Sequence, residues 1–132
     1  MYAMNNAFQK YKQQGVLTAN PVELVVMLYD GCIKQIKIAC LSIEENDFEQ
    51  ANTSLQKAQR ILMELINSLD LRYPIGSDLF ALYEYMLNEL AQGNANKDVK
   101  VLTDIVTLLQ ELRESWTILS KNGVGSVAQM GE

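Results

Sequence analysis

Apolar residues run almost without a break from Leu24, pause at Asp30 and Gly31, and resume at Cys32 and Ile33. At the helical increment, the apolar side chains between positions 24 and 43 cover an arc of roughly 260°, against the roughly 100° that one core contact needs. The start of this helix is marked chemically. Asn20 is a good N-cap, Pro21 fits the first helical position, and Glu23 can act as the capping-box acid. A helix is therefore expected over residues 21–43, stopping in the acidic turn Glu44, Glu45, Asn46.

Asp47 reads as the cap of a second helix, over residues 48–69, with Ala51, Leu55, Ala58, Leu62, Leu65, Ile66 and Leu69 on one face. Asn52, Gln56, Arg60 and Glu64 face water. Residues 70–78 (DLRYPIGSD) carry Pro74 and Gly76 and read as the one sizeable loop. A third helix is expected over residues 79–92, with Leu82, Tyr83, Met86, Leu87 and Leu90 at core spacing, Gly93 as its stop and residues 94–97 as a turn. The fourth, over residues 98–121, puts Leu102, Ile105, Val106, Leu109, Leu112 and Trp116 inward. Val101, Leu108 and Leu119 widen its apolar surface to roughly 160°.

Helices of similar length joined by short connections predict an all-α fold, an antiparallel up-and-down four-helix bundle over residues 20–121. Phe8, Tyr11 and Leu17 sit in an otherwise polar segment. Residues 1–19 are therefore expected to form an arm or short helix that docks on the bundle. Residues 122–132, rich in glycine and small side chains, read as a flexible tail.

The chain has 132 residues and a formal charge of -5, so it lacks the basic footprint of a nucleic-acid binder. Asp30, Lys34 and Lys37 break the richest apolar stretch, and the N-terminus has no continuous apolar centre, so neither membrane insertion nor a signal peptide is expected. A cytoplasmic location follows. There is no histidine, which removes Ser-His and Cys-His nucleophile pairs, imidazole metal ligands and the commonest general base. No enzyme activity, metal or cofactor is expected. The carboxylate pairs Glu44 with Glu45 and Glu111 with Glu114 read as solvated surface. Cys32 and Cys40 stand about 12 Å apart along one helix, too far for a disulfide, and read as small apolar residues. The apolar surplus on the first and fourth helices leaves three uses open: a homodimer seam, a groove for a foreign helix, or a dense core closed by the N-terminal arm.

Several motifs occur in a familiar order: FQKY at residues 8–11, VLTANPVELVVMLYDG at 16–31, ALYEYM at 81–86, NANKD at 94–98 and LLQELRESW at 108–116. In composition and spacing they resemble the flagellar secretion chaperone family FliS. The resemblance implies a cytosolic four-helix chaperone that binds the disordered C-terminal region of flagellin, prevents its premature polymerisation and delivers it to the flagellar type III export gate. The client would fold into helices on a preformed apolar surface. In such proteins an N-terminal aromatic arm can cover part of the flagellin site, and Phe8 and Tyr11 match that arm. The expected flagellin-binding groove draws Leu28, Tyr29, Ile33 and Ile36 from the first helix and Tyr83 and Tyr85 from the third. Val101, Ile105, Leu108 and Leu112 come from the fourth, and Trp116 reads as structural. Where many members carry a basic pair after Tyr-Met, this chain has Leu87, Asn88 and Glu89. The alternative is a homodimeric helical adaptor without a secreted client, using the same faces for self-association.

Overall fold

The computed structural model describes residues 21–122, which form four helices: α1 Pro21–Glu44, α2 Phe48–Asn67, α3 Pro74–Asn96 and α4 Val99–Asn122. Helix α1 packs against α2 and α4, and α3 closes the ring between α2 and α4. The result is the all-α four-helix bundle expected from the pattern. Asn20, Phe8 and Tyr11 lie outside the described residues, as does the 123–132 segment.

Two of the three connections are built on one device. Helix α1 ends as Asn46 turns left-handed (φ 61), while the Asn46 amide donates to the Ile43 carbonyl and the Asp47 amide to the Ser42 carbonyl. This is the paired closure that satisfies the last free carbonyls of a helix. Asp47 then caps α2 by accepting from the Gln50 amide at 3.1 Å. The α3 to α4 connection repeats the pattern: Lys97 is left-handed (φ 50), its amide donates to the Asn94 carbonyl, and the Asp98 amide donates to Gly93. Asp98 accepts from the Lys100 and Val101 amides, capping α4.

The third helix departs from expectation at both ends. It begins at Pro74, not at residue 79, because proline at the first helical position starts a helix as readily as it ends one. Gly76 is part of that first turn. A Cβ there would stand 2.2 Å from the Asp70 carbonyl oxygen, so its glycine lets the preceding loop lie against α3. The loop is accordingly shorter than the predicted 70–78, and the Asp70 carboxylate holds it by accepting from the Arg72 amide and guanidinium. At the other end Gly93 is not the stop. It is buried inside α3, where a Cβ would meet Leu102 at 2.8 Å, and the helix continues through the predicted turn to Asn96. The left-handed position falls on Lys97, whose ammonium donates to the Asn94 carbonyl and side chain at 2.6 Å each. The second helix stops two residues before its expected end, with Ser68 closing onto Glu64 and Leu65.

The core is a single cluster. Leu28, Tyr29, Cys32, Ile33, Ile36 and Ala39 of α1 meet Leu55, Ala58, Leu62 and Leu65 of α2, Tyr83, Met86 and Leu90 of α3, and Leu102, Ile105 and Leu109 of α4. Each large apolar side chain so buried contributes on the order of 1.5–3 kcal/mol. The wide apolar arc of α1 is mostly consumed here, because this helix is enclosed by α2 and α4 on its flanks and meets α3 across the bundle. Among its exposed residues only Leu41 is a large apolar one.

Candidate functional site

The ten residues expected to line a groove divide sharply. Leu28, Tyr29, Ile33, Ile36, Tyr83 and Ile105 are at most 8% exposed and belong to the core cluster. On α1 the expected groove residues Leu28, Tyr29, Ile33 and Ile36 are therefore core rather than surface. The physical reason is the enclosure of α1, which turns residues on three sides of the helix into core.

Tyr29 and Tyr83 explain their own burial. Their rings lie 6.3 Å apart and tilted by 59°, and their hydroxyls hydrogen-bond to each other across the bundle. Burial pushes the Tyr29 phenol up to about 12, with the hydrogen bond to Tyr83 acting the other way, and desolvation raises Tyr83 as well. Both remain neutral at physiological pH and act as a polar cross-brace. Among the described residues no buried side-chain polar atom lacks a partner.

The remaining four stay accessible. Val101, Leu108 and Leu112 are half-buried against the core, repeating at helical spacing on the flank of α4 that meets α3. The close approach of Gly93 to Val101 and Leu102 fixes that flank. Tyr85 is 52% exposed on α3, and helical spacing puts it on the outer edge of the same seam. One half-open apolar strip thus runs along α3 and α4.

A second surface lies on the opposite flank of α4, where it meets α1. Asp30 of α1 and Arg113 of α4 form an ion pair across this seam, closed by a second contact from the Arg113 Nη2 to Asp30 Oδ2 at 3.3 Å. Two helical turns away the seam opens into a cleft of about 330 Å³ lined by Lys37, Cys40 and Leu41 of α1 and Thr103 and Val106 of α4. The pairing of Asp30 with Arg113 and of Cys40 with Thr103 follows one antiparallel register. Sequence reasoning missed the cleft. Its one signal was Leu41, a large apolar residue on the polar arc of α1, now 60% exposed.

Both cysteines are free. Cys32 donates to the Ala58 carbonyl, and burial pushes its thiol up to about 12. Cys40 is also raised, first by burial, with Thr103 opposing and the Glu44 carboxylate adding to the shift. Neither is an activated thiolate. No group of acids or thiols among the described residues could hold a metal ion, and no helix there is long and apolar enough to cross a membrane.

Comparison with known proteins gives this bundle its relatives. The family model described as flagellar protein FliS matches residues 4–123. The flagellar secretion chaperone FliS of Bacillus subtilis is 37% identical over 114 residues, covering 86% of either chain. Its counterpart in Escherichia coli is 32% identical over 123 residues, 88% of this chain and 90% of the relative. That of Salmonella typhimurium is 30% identical over 111 residues, 82% of each. With a family match over nearly its whole length, and with the expected helical bundle beneath it, the chain belongs to the FliS family of flagellar proteins.

Proposed function

We propose that this protein is a cytoplasmic flagellar export chaperone that holds the C-terminal segment of flagellin, prevents its premature polymerisation and delivers it to the flagellar export gate. Family membership carries the reading, since the chain shares up to 37% identity with proteins named flagellar secretion chaperone. The geometry is in keeping with it. Helix α4 carries accessible apolar surface on both flanks, the strip with Val101, Leu108, Leu112 and Tyr85 on one side and the cleft on the other. A long segment that becomes helical as it binds needs such surfaces in succession around a rigid body. Leu28, Tyr29, Ile33, Ile36, Tyr83 and Ile105 then support the surface from beneath. The function is binding without a chemical reaction. The arm with Phe8 and Tyr11 covers part of the site in the free protein and moves aside for the client.

The test is titration of the full chain with the C-terminal segment of flagellin, followed by light scattering. A one-to-one complex with micromolar or tighter affinity is expected, together with suppressed flagellin polymerisation. Absence of binding at that concentration would remove the reading, and a homodimer that persists in excess client would favour the adaptor alternative.

A further inference from the structure

One face of the bundle takes no part in the surfaces around α4: the outer side of α2 and α3. The seam between these helices is marked by Asn52 of α2 and Asn94 of α3, whose side chains share the Lys97 ammonium. Met63 and Ile66 recur at helical spacing on the Asn52 side of α2, and Phe80 and Leu87 on the Asn94 side of α3, so all four border the seam. Ile66 and Leu87 lean on the core. Met63 is 51% exposed, and Phe80 is half-buried without belonging to the residues packed on the core cluster. Two large apolar side chains thus lie at the outer edge of the bundle.

The charges beside them are complementary and unspent. Arg60 stands one turn before Met63 and Glu84 one turn after Phe80, each on the outward side, and both are exposed. The antiparallel run from the shared Lys97 contact to the connection between α2 and α3 puts them at about the same height on either side of the seam. Neither is in an ion pair among the described residues, where Arg72, Lys100 and Arg113 hold the paired acids. Helix α3 carries Asp78, Glu84 and Glu89 and no base, so nothing within it neutralises its acids.

A half-turn about an axis along the seam lays α2 of one copy on α3 of another. Because Arg60 and Glu84 stand at one height, the same rotation brings each Arg60 onto the partner's Glu84, with Met63 and Phe80 of both copies between the two pairs. Ala81 and Ala91, both exposed on α3, leave room for the approaching helix. Helices of 20 and 23 residues are about 30 Å long and, side by side, about 20 Å wide, a face on the order of 600 Å² per copy. Twice that area lies at the lower bound of stable interfaces, in keeping with micromolar association.

We propose that the α2/α3 face is a self-association surface, on which two copies of this chain pair through reciprocal contacts of Arg60 with Glu84 around Met63 and Phe80. The pairing does not depend on the chaperone reading. It leaves both flanks of α4 open, unlike the adaptor homodimer, so a loaded dimer holds two clients and differs in mass from a client-free one.

The test is sedimentation equilibrium of the full chain without client over about 1–200 μM, a span that brackets interfaces of this size. The average mass should climb from 14.9 kDa towards twice that value. Arg60→Glu and Glu84→Arg each set like charges opposite one another and should weaken association about tenfold, whereas the two changes together should restore it to within about threefold of wild type. Met63→Gln should also weaken it, while Tyr85→Glu, on the α3/α4 strip, should not. All these positions are exposed, so circular dichroism should show an unchanged helical bundle. A monomer throughout the range would overturn the proposal. So would single charge reversals that associate like wild type, or a double change no better than the singles. Loss of association in Tyr85→Glu alone would assign it to the strip along α4 and overturn the proposal equally.

Discussion

The hydroxyls of Tyr29 and Tyr83 meet where the rest of the core is hydrocarbon, so each is the other's main means of satisfying a buried polar group. Removing one hydroxyl strands the other, which costs about 1–3 kcal/mol, whereas removing both leaves nothing to strand. Tyr83→Phe should therefore destabilise the bundle by about 1–2 kcal/mol, while the double change Tyr29→Phe with Tyr83→Phe costs less than the sum of the singles. Urea denaturation of the three variants measures the coupling; strict additivity would show that the hydroxyls act independently. The glycines allow a second residue-scale comparison. At Gly76 an added Cβ meets backbone, the Asp70 carbonyl oxygen at 2.2 Å, whereas at Gly93 it meets the end of the Leu102 side chain. Backbone cannot step aside as a side chain can. Gly76→Ala should cost about 1–3 kcal/mol from overpacking, and Gly93→Ala less, since alanine also favours the helix interior. Equal losses of thermal stability would contradict this.

At the scale of the element, the helices were legible where local chemistry and apolar period agreed. Asp47 is visible as a cap, and the inward residues of α2 follow the expected face closely. What failed was punctuation. Pro74 and Gly93 have two meanings each, and the sequence favours the more common one, loop proline and terminal glycine. The structure uses Pro74 as a helix opener and Gly93 as a contact surface for α4. The left-handed terminus falls instead on Lys97, which no composition rule marks, because three polar contacts of its ammonium compensate for an unfavourable backbone. The cap that follows is testable. Asp98→Ala removes the acceptor for two amides at the start of α4 and should cost about 1 kcal/mol. Asp98→Asn should recover most of that loss in a thermal melt, and a failure to recover would mean charge, rather than capping, matters at this turn.

For the whole molecule, the candidate site was only half legible, because periodicity gives a side chain's direction but not how many neighbours surround it. Leu108 and Tyr29 carry equally apolar signals, yet α1 is enclosed on three sides and α4 leaves both flanks accessible. The same enclosure has a consequence for pH. Cys32 and Tyr29 are held neutral up to about 12 by burial, and Tyr83 is raised for the same reason, whereas unfolding returns them to values near 9.0 and 10.0. The folded state thus binds more protons than the unfolded state in that interval. The stability these groups supply is complete below about pH 9 and is lost as pH rises towards 12. Each group ionised only in the unfolded chain lowers the unfolding free energy by about 1.4 kcal/mol per pH unit. The melting temperature should be level from pH 7 to about 8.5 and then fall with increasing slope. Cys32→Ala should lower stability at neutral pH, through the lost packing, yet make the alkaline decline shallower. A slope that is the same with and without the thiol would mean that Cys32 is ionised within the fold, and the account of its burial would be wrong.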